Sequence, residues 1–338
     1  MDLNIVWFLL VGILIIGYAI LDGFDLGVGV IQLFTKGEDE KRINLNAVGP
    51  VWDGNEVWLL TGGGALFAAF PIVYATVFSG FYLAFMLLLL ALIFRAVSFE
   101  FRNKIKSGGW KKIWDYAFGI GSFLPALLYG VAIGNILRGI PLNSGGEYLG
   151  SFFGLLNPYA IIVGLVSLTM FIMHGAVYMT MKSEGVQRER MVNWANRTWI
   201  VFLILYVIAT FFTFFEGTFL FQGLLSNALF WILLIVLLLS IVFIPVSLKS
   251  KKFGRAFFFS SLMIAVMIGL TALSLFPRLV PSSIDLAYSL TIYNASSTPR
   301  TLLTMLIIAL IGMPIVIGYS IYVYRVFKGK VVISKESY

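Results

Sequence analysis

The 338-residue chain contains no cysteine and one histidine, His174. Without cysteine it has no disulfide, no thiolate metal site and no iron–sulfur cluster of its own. One histidine excludes a bis-histidine haem or a histidine-rich metal centre built from this chain alone. Charge is scarce as well. Only 12% of residues are Asp, Glu, Lys or Arg, about half the share found in soluble domains. No phosphate-binding glycine loop, nucleophile elbow or zinc motif is present. Gly27-Val28-Gly29 sits inside an apolar run and lacks the βαβ context of a dinucleotide site.

What is abundant is apolar material: 60% of residues are hydrophobic and the mean hydropathy is +0.95. That composition belongs to a membrane protein. Outer-membrane strands alternate apolar and polar residues, a pattern missing here, and a spanning helix needs about 20 apolar residues. Nine segments qualify: Ile5–Phe34, Val51–Phe70, Ile72–Phe99, Trp114–Leu137, Phe152–Met181, Val192–Phe215, Leu224–Leu248, Arg255–Phe276 and Thr301–Phe327. The fold class expected is an all-α integral membrane protein, with residues 1–338 as a single transmembrane domain. The Met1-Asp2-Leu3-Asn4 start lacks the basic stretch of a signal peptide, so the first segment reads as a retained helix.

The net charge of +8 reads as cytoplasmic loops rather than an affinity for nucleic acid, because basic residues concentrate on the cytoplasmic side of membrane proteins. The loops after segments 1, 3, 5 and 7, with the C-terminal tail, carry twenty of the 24 Lys and Arg, Lys335 among them. The opposite loops carry Arg138, Arg278 and Arg300. This asymmetry predicts an external N-terminus and a cytoplasmic C-terminus.

Ionisable residues inside hydrocarbon are costly and functional by default. Asp22 and Asp25 share a face of the first segment, three residues apart, and Asp25 lies ~13 Å of helix short of Phe34. Asp53 and Glu56 open the second segment, Arg95 and Glu100 close the third, Asp115 opens the fourth, and His174 lies in the fifth. All fall in the predicted cytoplasmic half, which suits a path for protons entering from that side. Bland readings stand beside this one. Asp53 and Glu56 complement a helix dipole after Pro50. Asp22 and Asp25 bond neighbouring helices or pair with Arg95. Arg95 and Glu100 form a local pair or reach the interface. His174 is a satisfied polar residue of the core. Gly23, Gly27 and Gly29 let other helices approach the acids.

Leu21–Val30 reads LDGFDLGVGV, Gly49–Pro71 reads GPVWDGNEVWLLTGGGALFAAFP, Phe78–Phe85 reads FSGFYLAF, and Asn157-Pro158 precedes the fifth segment. These strings resemble subunit II of the cytochrome bd quinol oxidase family. The resemblance implies two four-helix bundles plus one extra helix, in a prokaryotic cytoplasmic membrane. It implies a haem-bearing subunit I as partner, with two b-type haems and one d-type haem there and no cofactor or metal on this chain. Quinol is the implied substrate, and a small single-helix subunit and membrane lipid are further implied partners. Carried over by motif, Asp25 and Asp53 are proton-pathway residues, with Asp22 and Glu56 in the same strings. Arg95, Glu100 and His174 are structural or relay candidates. An ion-coupled transporter and a purely structural scaffold are the competing classes.

Overall fold

A computed structural model describes residues 2–333; Met1 and the basic tail residue Lys335 lie outside the described residues. Eleven α-helices follow one another: α1 (Leu3–Gln32), α2 (Glu38–Val48), α3 (Trp52–Ala69), α4 (Pro71–Gly80), α5 (Tyr82–Phe101), α6 (Gly108–Arg138), α7 (Pro158–Lys182), α8 (Gly185–Glu216), α9 (Ala228–Lys249), α10 (Phe253–Leu275) and α11 (Pro299–Val326). A two-stranded antiparallel ribbon, β1 (Arg278–Val280) with β2 (Leu290–Thr291), lies between α10 and α11.

The helix starts are written in the sequence. Asp2 caps α1, Asn157 caps α7 ahead of Pro158, Asn227 caps α9, and Thr298 caps α11 ahead of Pro299. Each cap oxygen takes a first-turn N–H that the helix leaves unpaired, and proline suits the first helical position.

Among the described residues, eight helices are long and apolar enough to cross a membrane: α1, α5, α6, α7, α8, α9, α10 and α11. The sequence led us to expect nine segments, and two of them differ in form. The second is α3, whose opening WDGNE is too polar for it to count among the eight. The third breaks at Phe81 into α4 and α5, where the ring of Tyr148 crowds Gly80. The first predicted loop holds an additional amphipathic helix, α2, whose acidic first turn Glu38-Asp39-Glu40 explains why it was not an apolar segment.

α7 is the central helix. It is buried along most of its length and packs on α1, α6, α8 and α10. α1 crosses it at backbone contact: a Cβ on Gly27 would lie 1.9 Å from the Phe171 carbonyl oxygen, and one on Gly175 2.6 Å from the Val28 nitrogen. α3 runs antiparallel to α1. Asn55 meets Leu21, Trp58 covers Gly17, Gly62 faces Leu14, and Phe70 shares a buried cluster with Trp7 and Val11. Gly63 and Gly64 face open space, so close packing uses Gly17, Gly23, Gly27 and Gly29 rather than the α3 triplet.

The helix ends sort into two faces. On one, the α1–α3 connection, the α5–α6 loop, the α7–α8 loop and the tail are tied together through Glu38–Arg102, Glu38–Lys111, Glu40–Arg190 and Glu184–Lys330 ion pairs. On the other, the segment after α6 pairs with the segment after α10 through Ile140 N–H to Pro281 O (3.0 Å), and Ser297 N–H reaches Ala69 O (2.8 Å). Of the basic stretches named from the sequence, those after the first, third and fifth segments and the tail are tied to one another by these ion pairs.

Candidate functional site

α1 brings Asp22 and Asp25 into the middle of the helical assembly, and both are fully buried. The close α1–α7 crossing puts them there, because the glycines remove the side chains that would hold the helices apart. The two acids have different partners. Asp22 is forked by Arg95 of α5: Nη1 donates to Oδ2 at 2.8 Å and Nη2 donates to Oδ1. Such bidentate geometry is the strong form of a guanidinium–carboxylate pair. Arg95 is itself fully buried, so it does not reach an interface, and its Nε has no partner among the described residues.

Asp25 has no cation in contact with it among the described residues. Its Oδ2 accepts from Asn55 Nδ2 of α3 at 2.7 Å, and its Oδ1 is buried without a hydrogen-bond partner among the described residues. Asn55 is itself fixed three ways. Nδ2 also donates to Leu21 O at 3.1 Å, and Oδ1 accepts from the Tyr324 hydroxyl of α11 at 2.7 Å. Asp25 is thus joined through Asn55 to α3 and, through Tyr324, to α11.

The remaining predicted residues scatter around this cluster. Glu56 is half-buried on α3, one residue beyond Asn55, and Asp53 is exposed in the first turn of α3. Glu100 is exposed at the end of α5. His174 sits in the core. Its Nδ1 bonds Ser260 Oγ at 2.7 Å, its Nε2 lies 3.0 Å from Ile20 O, and the ring stacks on Phe257. Both ring nitrogens are engaged inside the chain. Among the described residues no group of three or more His, Asp or Glu is placed to hold a metal ion.

Sequence reasoning missed Asn55, although the residue lies in a quoted motif, and missed Tyr324, which has no local signal at all. It also missed a polar network on the basic face. Asp115 accepts from Arg102 Nε (2.8 Å), Lys41 Nζ (2.8 Å) and Gln32 Nε2 (3.0 Å). Gln32 accepts from Asn44 Nδ2, and Asn44 in turn accepts from Gln187 of α8, each at 3.0 Å. Partial burial alone would raise the Glu38 carboxyl at the edge of this network. Hydrogen bonds from Lys111 and Arg102 outweigh it and hold the group below its usual range.

Fold and site together define a multi-pass helical membrane protein with a buried acid–base cluster. Comparison with known proteins names the class. Residues 3–327 match the family described as cytochrome bd terminal oxidase subunit II. The chain is similar to cytochrome bd-I ubiquinol oxidase subunit 2 of Escherichia coli K12, 38% identical over 97% of this chain and 95% of the relative. It is similar to cytochrome bd ubiquinol oxidase subunit 2 of Bacillus subtilis, 38% identical over 98% and 97%. It is also similar to a probable cytochrome oxidase subunit 2 of Haemophilus influenzae, 37% identical over 97% and 95%. Among solved structures, the bd oxidase from Geobacillus thermodenitrificans shares the fold, with a TM-score of 0.78 at 19% identity, covering 97% of this chain and 99% of that one. The chain belongs to the cytochrome bd terminal oxidase subunit II family, and is part of an oxidoreductase complex of the bacterial cytoplasmic membrane.

Proposed function

We propose that this chain is the haem-free second subunit of a quinol:oxygen oxidoreductase. In this reading it packs against and stabilises subunit I, and Asp25 takes up protons from the cytoplasm for the reduction of dioxygen to water. The observation that carries the proposal is the Asp25 carboxylate, fully buried, without a contacting cation and with Oδ1 unpartnered. A carboxylate so placed is costly to ionise in a low-dielectric interior, and intramembrane acids of this kind mark proton relays. Asp22 is the counter-ion of Arg95 and ties α1 to α5, while Glu56 and the exposed Asp53 line the approach from the basic face.

The topology in this reading has nine crossings: the eight apolar helices and α3, whose antiparallel run along α1 supports a full crossing. The N-terminus is outside and the C-terminus cytoplasmic. α1, α3, α4–α5 and α6 form one four-helix bundle, α7 to α10 the second, and α11 is the extra helix. Two b-type haems and one d-type haem in subunit I supply electron transfer and oxygen reduction. The engaged nitrogens of the single histidine support their assignment to the partner. Quinol is the substrate of the complex, and a small single-helix subunit and lipid complete its surroundings.

The test is Asp25→Asn in the purified oxidase. Oxygen consumption per haem falls severalfold while b- and d-type haem absorption keeps its wild-type amplitude. Wild-type turnover overturns the relay role. Loss of haem in proportion to activity makes the chain a scaffold instead. Solute uptake by this chain alone in proteoliposomes makes it a transporter.

A further inference from the structure

We infer that Tyr324 is a positioning residue for Asp25: through the Asn55 side chain it keeps Oδ2 occupied by an N–H donor, so that Asp25 carries its proton on Oδ1. This rests on the reading of Asp25 as a proton-uptake residue and goes beyond it by naming the atom and the device that selects it.

The argument is one of donors and acceptors. A side-chain amide has two N–H hydrogens and one acceptor oxygen. Asn55 spends both hydrogens on acceptors, Asp25 Oδ2 at 2.7 Å and Leu21 O at 3.1 Å, and its oxygen receives the Tyr324 hydroxyl at 2.7 Å. The amide orientation follows from these partners. A proton on Oδ2 would point at the Asn55 N–H, donor against donor. Oδ1 faces no donor among the described residues and is the oxygen open to a proton.

The alternative state is an Asn55 side chain turned by half a rotation. Its oxygen would then accept from a proton on Asp25 Oδ2, trapping that proton in a hydrogen bond. The turned state sets the amide oxygen against Leu21 O, two acceptors together, and leaves the Tyr324 hydroxyl hydrogen without its acceptor. Tyr324 therefore disfavours the trap. It comes from α11, half-buried along a groove of about 500 Å³ shared with Leu21, Trp58, Ser320, Arg325 and Lys328. The last helix of the chain thus sets the geometry of an acid on the first.

The experiment uses the complete oxidase carrying Tyr324→Phe, with Ser320→Ala as a control from the same groove and helix. One net hydrogen bond corresponds to about a five-fold change in an equilibrium. Tyr324→Phe is expected to lower quinol-driven oxygen consumption per haem by about that factor. It also shifts the protonated-carboxyl C=O stretch in the infrared difference spectrum, the band that disappears in Asp25→Asn. Haem absorption stays at wild type, and Ser320→Ala changes neither reading. An unshifted band in Tyr324→Phe overturns the proposal, as does a Ser320→Ala effect of equal size, which would make helix packing the cause. Failure of the underlying reading looks different: Asp25→Asn then keeps wild-type turnover, while the infrared band still reports whether Tyr324 governs the carboxyl.

Discussion

Replacing Gly27 by alanine puts a methyl group where the α1–α7 crossing has no room. The new carbon would sit 1.9 Å from Phe171 O and 3.1 Å from Gly175 Cα, about 1.5 Å inside ordinary van der Waals contact with the oxygen. The obstacle is backbone, which cannot rotate aside as a side-chain tip can. The helices must separate, and the 3.0 Å contact of His174 Nε2 with Ile20 O then stretches past hydrogen-bonding distance. Overpacking of this kind costs about 1–3 kcal/mol, and loss of a buried hydrogen bond about 1–3 kcal/mol more. Gly12 of the same helix is the matched control, since nothing lies within 4 Å of its added carbon. Alanine there gains helix propensity worth up to about 1 kcal/mol. Thermal inactivation of the detergent-solubilised oxidase, followed by oxygen consumption and haem absorption, is the assay. Gly27→Ala should shorten the half-life at fixed temperature by an order of magnitude or more, and Gly12→Ala should leave it unchanged or longer. Equal half-lives for the two variants would refute the claim that the α1–α7 backbone contact organises the site.

Asp22→Asn strands a buried guanidinium and should destabilise the complex by about 3–5 kcal/mol, whereas Asp22→Asn with Arg95→Gln recovers part of the loss; a thermal double-mutant cycle with no coupling would contradict the ion pair. The depressed Glu38 carboxyl makes a pH prediction. A group held below its unfolded value adds stability above that value and loses it as pH falls through the folded one. Glu38→Gln should therefore lower stability at neutral pH, where the carboxylate contributes, and flatten the acid limb of the profile, so that the variant and the parent converge at low pH; an unchanged acid limb would count against the Lys111 and Arg102 contacts.

The parts of this architecture that are properties of single segments were readable from the residues. Long apolar runs announce helices, caps such as Asn157-Pro158 announce their starts, and the loop charges announce a common face. The acids of α1 stand out because charge is so sparse around them. What distinguishes Asp22 from Asp25 was not readable, because it depends on which helix each one meets. Arg95 lies 73 positions from Asp22, and Tyr324 lies 269 positions from Asn55. Neither separation leaves a periodic trace. α2 was hidden because a short helix with an acidic first turn makes no long apolar run, and the break at Phe81 because the Tyr148 ring packed beside it comes from a distant loop.

The partners of the α1 acids also arrive in a definite order as the chain is made, N-terminal segments first. α1 enters the bilayer with two carboxyl groups and no counter-charge. Asn55 follows with α3, and Arg95 comes only with α5. His174 closes on Ile20 when α7 docks, and Tyr324 reaches Asn55 after every other helix has been synthesised. Until α5 is inserted, Asp22 lacks the guanidinium that forks it in the finished subunit. The buried network is thus complete only when the last helix docks, so the geometry around the α1 acids is a property of the finished subunit and of no shorter piece of it.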